Sequence, residues 1–261
     1  MTILDEIAEH AKKRVSDSLK ACPLDTLKEE ALSLPHDDSF PFETALKKLS
    51  LSFICECKKA SPSKGVIAEE FPYVRIAREY EEAGADCISV LTEPKWFLGE
   101  GQYLKEIAGA VSIPCIRKDF VVDEYMIYEA ALLKACAVLL ICAILDEKSI
   151  RQYISICDSL GLSALVEAHD EEEVRMALSC GARMIGVNNR NLKDFSVDTD
   201  NSMKLRSLIP DDVIFVSESG VKTADDVKRL YDAGADAVLV GETLMRSDDK
   251  KKKLMELKGM L

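Results

Sequence analysis

The sequence predicts an α/β protein built as a closed barrel of eight strands, each followed by a helix, and three observations support this. Its 261 residues match the about 250 that such a barrel takes. Three helix-to-strand junctions repeat one pattern: Ala83-Gly84-Ala85-Asp86 before Cys87 to Val90, Cys180-Gly181-Ala182-Arg183 before Met184 to Val187, and Ala233-Gly234-Ala235-Asp236 before Ala237 to Val240. In each, glycine can supply the left-handed residue that ends a helix, and a short apolar strand follows. A fourth junction, Leu133-Lys134-Ala135-Cys136, keeps the place without the glycine, so the four stand at 84, 134, 181 and 234. A separation of about 50 residues holds two strand-helix units, which calls for one further strand between each pair. Eight such units favour the (β/α)8 TIM barrel over an open sheet.

Taken in order, the chain reads as one domain over 1–261, with 1–50 a helical extension ahead of the barrel. In that extension Ile3, Ile7, Ala11, Val15 and Leu19 recur every four residues, the signature of a helix with one apolar face to bury. Stabilising the barrel is the simplest role for it, and a lid over the site is the alternative. The strands are Phe53 to Cys57, Cys87 to Val90, Pro114 to Lys118, Ala137 to Ile141, Ser163 to Glu167, Met184 to Val187, Val213 to Ser217 and Ala237 to Val240. The helices between and after them are Tyr73 to Ala83, Gln102 to Ala110, Glu124 to Leu133, Glu147 to Leu160, Glu171 to Ser179, Thr199 to Leu208, Ala224 to Ala233 and Asp248 to Leu257. No GxGxxG follows a strand, which argues against a dinucleotide cofactor.

Composition narrows the function classes. With 48% hydrophobic and 31% charged residues, the chain can bury a large core. Its longest apolar run, Ala135 to Leu145, is shorter than the about 20 residues of a membrane span. The acidic start (Asp5, Glu6, Glu9) lacks the features of a secretory signal, and the expected location is the cytoplasm. Nine cysteines, an odd number with several inside apolar runs, read as reduced core thiols. Cys55 and Cys57 have no second close pair to complete a zinc site, so no metal is expected. A net charge of −12 argues against nucleic acid or an anionic membrane as partner; an anionic small molecule would need a local basic pocket. Sequence leaves the oligomeric state open.

Barrel chemistry gathers where strands end. Strand one ends Glu56-Cys57-Lys58, and alternation puts Glu56 and Lys58 on one face and Cys55 and Cys57 on the other. With the cysteines under the helices, the charged pair faces the barrel axis. Lys118 ends strand three, Glu167 strand five, Asn188 with Arg190 strand six, and Glu218 follows strand seven. One such residue alone reads as a solvated charge; five strand ends carrying them together read as a site. Lysines there can serve as acids, bases or Schiff-base nucleophiles. His10 and His36 lie away from strand ends, and His169 looks like part of a helix start. After strands seven and eight, Gly220 and Gly241 let backbone N–H groups approach an anion, which predicts a phosphorylated small-molecule substrate.

These same segments closely resemble the indole-3-glycerol phosphate synthase family of tryptophan biosynthesis: Glu56 to Gly65, Leu91-Thr92-Glu93, Arg117-Lys118-Asp119-Phe120, Leu165-Val166-Glu167, Gly186 to Leu192, Ser217 to Gly220 and Val240-Gly241-Glu242. They occur in order along nearly the whole chain. The resemblance implies ring closure of 1-(2-carboxyphenylamino)-1-deoxyribulose 5-phosphate with loss of CO2 and water, needing no cofactor or metal. It implies Lys118 as the acid on the ketone oxygen, with Lys58, Glu56 and Glu167 sharing the later proton transfers. Asn188, Arg190 and Glu218 would orient substrate and charges. Ser61, Ser219, Gly220 and Gly241 would contact its carboxylate or phosphate, Glu242 through its backbone N–H, and Phe97, Phe120 and Leu192 would form an apolar slot for the aryl ring. Lys134 and Cys136 depart from the family's Gly and Asp, which puts the turn before strand four in question. The alternatives are another phosphate-binding barrel enzyme, such as a Schiff-base aldolase, and a catalytically silent barrel that binds a ligand or a partner protein.

Overall fold

The computed structural model describes residues 2–35, 37–191 and 196–260; His36 and Leu192 lie outside them. Eight parallel strands close on themselves: β1 (Ser52–Cys57), β2 (Cys87–Leu91), β3 (Cys115–Lys118), β4 (Ala137–Ile141), β5 (Ser163–Ala168), β6 (Met184–Asn188), β7 (Ile214–Glu218) and β8 (Ala237–Val240). Each pairs with its sequence neighbours, and β1 pairs with β8 to complete the barrel. Period-two alternation sorts the side chains. Ile54, Ile116, Leu139, Leu165, Met184, Val216 and Leu239 fill the interior, while Cys55, Cys57, Val90, Leu140, Val166 and Val238 join the larger core beneath the helices. The inferred facing of strand one is therefore correct.

The helices follow the sequence boundaries to within two residues, in order: Tyr73–Glu82, Gly101–Ala108, Tyr125–Leu132, Glu147–Ser159, Glu171–Ser179, Asp200–Arg206, Ala224–Asp232 and Lys250–Leu257. Their ends explain the repeated junctions. Gly84, Gly181 and Gly234 take φ of 87°, 85° and 87°, and the next residue donates back across the last turn, as in Ala85 N–H to Tyr80 C=O at 2.9 Å. Lys134 adopts the same conformation (φ 64°), and Ala135 N–H reaches Ala130 C=O at 3.0 Å. The fourth junction thus keeps its turn without glycine, at the steric cost an L-residue meets there. Asp86 and Asp236 also have a defined role: each carboxylate accepts the N–H of the second residue of the neighbouring strand, from Phe53 at 2.8 Å and Phe215 at 2.7 Å.

The extension forms α1 (Ile3–Ala21), α2 (Leu24–Leu32) and α3 (Pro41–Leu46). Thr2 and Asp5 cap α1 reciprocally, which fixes its start. Its apolar stripe Ile7, Ala11 and Val15 is buried, whereas Leu19 stays partly exposed. α3 reaches the opposite end of the barrel. There Phe42 and Leu46, both fully buried, join the interior cluster of Ile54, Met184 and Ile214, and Glu43 pairs with Arg183 at 2.9 Å just ahead of β6. Sequence periodicity did not reveal α2 or α3, nor a short helix at Glu242–Met245 and a two-residue antiparallel pairing of Ala60–Ser61 with Gly65–Val66.

Candidate active site

At the carboxyl ends of the strands lies a cleft of about 490 Å3. Every candidate among the described residues lines it: Glu56, Lys58, Ser61, Phe97, Lys118, Phe120, Glu167, Asn188, Arg190, Glu218, Ser219, Gly220, Gly241 and Glu242. Leu192 falls outside the described residues. The cleft also holds side chains that the sequence did not mark, and these fall into two sets. Ile3, Leu4 and Ile7 of α1 form an apolar wall, and Lys64, Lys222 and Arg246 join Arg190 as cations lining the cleft. An acidic chain thus carries the local basic pocket that an anionic ligand requires.

Lys118 sits at the floor. Its Nζ donates to Glu218 Oε2 at 2.8 Å and to Glu167 Oε2 at 3.3 Å. Burial works against its charge, but Glu218, Glu167 and Glu56 outweigh that and hold the ammonium above the ordinary lysine range. Burial also pushes the Glu218 carboxyl up to about 7, with Lys118 pulling the other way. The second oxygen of Glu218 is buried with no hydrogen-bond partner among the described residues. It lies directly over Gly186, where a Cβ would stand 2.1 Å from it. Glu56 and Lys58 form a second ion pair, and Gly241 leaves the space for it: a Cβ there would stand 2.2 Å from Glu56 Oε1 and 3.0 Å from Lys58 Nζ. A glycine on β6 and another just after β8 are thus the steric counterpart of two carboxylates on β7 and β1.

The aromatic side is held by Glu93, which is fully buried and accepts N–H groups of Lys95, Trp96 and Phe97 at 2.7 to 3.1 Å. This carboxylate shapes the loop that delivers Phe97, whose ring lies 5.9 Å from that of Phe120. Phe120 is placed in turn by Asp119, which accepts its N–H at 2.8 Å and binds Arg14 of α1 at 2.7 and 3.1 Å. Through this link α1 is fastened to the residue next to Lys118. His10 lies 3.4 Å from Glu93 and His169 bonds the Asn188 carbonyl at 3.0 Å, so neither enters the cleft. Among the described residues, no group of three or more His, Cys, Asp or Glu converges so as to hold a metal ion.

At the other end of the cleft the turn after β7 runs through two left-handed residues, Ser219 (φ 68°) and Gly220 (φ 94°). Glu242 opens the short helix after β8 and is surrounded by cations: Arg246 at 3.1 Å, Arg190 at 3.5 Å and Lys64 at 3.8 Å. Although burial opposes its charge, they hold its carboxyl below the ordinary range. Its side chain therefore organises the basic residues here, a role that attention to its backbone N–H alone overlooks.

The family model of indole-3-glycerol phosphate synthase matches residues 4–257. The chain belongs to this family. The indole-3-glycerol phosphate synthase of Ruminiclostridium cellulolyticum is 57% identical over 98% of this chain and 99% of its own; that of Lacticaseibacillus paracasei is 49% identical over 98% of each. More distant solved structures share the fold: 3-hexulose-6-phosphate synthase of Salmonella typhimurium (TM-score 0.65, 16% identity, 81% of this chain and 98% of that one) and thiamine phosphate pyrophosphorylase of Pyrococcus furiosus (0.61, 17%, 80% and 94%). As an indole-3-glycerol phosphate synthase family member, the chain keeps the barrel and adds the extension, which here supplies the apolar wall of the cleft and the Arg14 anchor.

Proposed function

We infer that this protein is an indole-3-glycerol phosphate synthase, a carboxy-lyase of tryptophan biosynthesis, and that the residues of the cleft divide the reaction as follows. The substrate, 1-(2-carboxyphenylamino)-1-deoxyribulose 5-phosphate, lies with its phosphate toward Ser219, Gly220, Gly241 and the Glu242 backbone, within reach of Arg190. Its aryl ring lies toward Phe97, Phe120 and the α1 wall, and Ser61 meets its carboxylate. Leu192 belongs to the same slot in this reading. The carboxylate-bearing aryl carbon attacks the ketone carbon, and Lys118 gives a proton to the oxygen as negative charge develops there. Loss of CO2 restores the aromatic ring. The new hydroxyl then leaves as water, with Lys58 donating the proton and Glu167 or Glu56 accepting the one that the ring system gives up. Asn188 and Glu218 keep the charged groups in register.

One observation carries this assignment: the Lys118 ammonium at the cleft floor, gripped by Glu218 and Glu167. Those carboxylates keep it protonated, as a proton donor must be before it acts. The same fact weighs against a Schiff-base aldolase, which needs a neutral amine. The family's substrate needs no cofactor, and the basic mouth suits its phosphate. The cytoplasm fits the nine free thiols, seven of them buried.

Lys118→Met keeps the apolar stem and removes the ammonium. We expect it to lower turnover by about 10²- to 10⁴-fold, followed by the indole fluorescence of the product, with an unchanged circular dichroism spectrum. Near-normal turnover in a folded variant would transfer the acid role to Lys58.

A further inference from the structure

Asn189 lies directly behind the turn that follows β7, and all of its hydrogen-bonding capacity is used there. It is 2% exposed. Nδ2 donates to Ser217 Oγ at 3.0 Å and to the Ser219 carbonyl at 3.1 Å. Oδ1 accepts from Ser202 N–H at 3.0 Å and Ser202 Oγ at 2.8 Å. Its backbone N–H donates to the Glu218 carbonyl at 2.9 Å, and its own carbonyl accepts Asp198 N–H at 2.9 Å. An amide with two donors and two acceptors is the side chain that meets all four demands at once.

The contact with the Ser219 carbonyl is the informative one. Ser219 is left-handed without being glycine, a conformation that costs about 1–2 kcal/mol for an L-residue and persists only where the surroundings enforce it. Gly220 follows, also left-handed, with the side chains of Val197 and Thr199 so close that a Cβ would meet them at 2.9 and 2.6 Å. Gly220 lines the cleft, and its N–H meets no acceptor among the described residues. The turn is thus clamped from behind by one amide and from the side by residues 197 and 199, at a place where Ser219 and Gly220 line the cleft.

We propose that Asn189 is a positioning residue for the anionic end of the substrate: it holds the Ser219 carbonyl back so that the strained Ser219–Gly220 turn presents its N–H groups to the phosphate. Asn189 touches neither substrate nor reacting atoms. It acts through the turn, and so on binding more than on the proton transfers at Lys118. This rests on reading that turn as a phosphate seat.

The test is a KM-against-kcat comparison with competitive inhibition by inorganic phosphate as a second readout. In Asn189→Ala, and in the near-isosteric Asn189→Asp that places an acceptor against the Ser219 carbonyl, we expect KM and the phosphate inhibition constant to rise together by about tenfold, equivalent to about 1.4 kcal/mol, while kcat changes far less. Ser202→Ala, which removes the hydroxyl contacts with Asn189 Oδ1 and Ser217 Oγ but leaves the bond from Asn189 to the Ser219 carbonyl, should leave both constants near wild type. If Asn189→Ala does not fold, Asn189→Asp carries the comparison. A folded variant with unchanged KM and unchanged phosphate inhibition would overturn the proposal, as would a fall in kcat alone. Absence of competitive phosphate inhibition in the wild-type enzyme would instead overturn the phosphate seat itself, and the role of Asn189 with it.

Discussion

Glu218 shows how one residue in this cleft serves two demands. Its carboxylate must be charged to grip Lys118, yet burial over Gly186 raises its affinity for a proton until it titrates at about 7. Below that value the carboxyl is neutral, the charged contact with Lys118 is lost and the ammonium keeps only the charges of Glu167 and the more distant Glu56; above it the clamp is complete. Turnover should therefore fall as the pH drops through neutrality. Glu218→Gln fixes the uncharged form, so its activity at alkaline pH should be lower than wild type by on the order of 10²-fold, with the acid limb near 7 gone from its kcat/KM profile. A Gln variant that retained that limb would assign the ionisation to another group. The sequence placed Glu218 at a strand end but gave no sign of this shift, because desolvation depends on what the folded barrel puts around the carboxyl.

Among the elements, the junction before β4 (Leu133 to Cys136) shows a departure that the fold tolerates at a cost. Lys134 occupies the left-handed position that glycine fills in three other junctions, and the backbone bonds that close the turn are the same in all four. Glycine at this site relieves the steric penalty and gives back part of the gain as backbone entropy in the unfolded chain. Lys134→Gly should thus stabilise the protein by about 1 kcal/mol, raising Tm by about 2–4 °C in thermal unfolding followed by circular dichroism. Activity should not change, since the junction lies at the barrel end away from the cleft. A lower Tm would mean that the Lys134 side chain contributes more than its conformation costs.

Over the whole molecule, the extension ties the two ends of the barrel together. α1 contributes Ile3, Leu4 and Ile7 to the cleft and is anchored by Arg14 on Asp119, while α3 pushes Phe42 and Leu46 into the opposite end of the interior. Truncating the floor should act on stability and spare the chemistry. Phe42→Ala removes a fully buried ring from the interior cluster at the end of the barrel, at about 3–5 kcal/mol. We expect Tm to drop by on the order of 10 °C with KM close to wild type. A large rise in KM would show that the floor and the cleft are mechanically coupled.

The sequence alone determined the strand count, the order of the barrel units, the spans of the eight barrel helices and the charged strand ends that line the cleft. Each of these is written in a local signal: glycine at the end of a helix, a period of two in a strand, a charged residue where an apolar run stops. Its recurrence every four residues also announced α1, without saying what its apolar face would cover. What only the tertiary structure decided is which groups meet across elements. Ile3 and Ile7 wall the cleft, Phe42 closes the barrel floor, Glu242 gathers Lys64, Arg190 and Arg246, Asn189 braces the Ser219 turn, and Glu218 stands over Gly186. These pairs are far apart in sequence or lie on different loops, and their energies come from exclusion of water and close approach, which exist only once the barrel has closed.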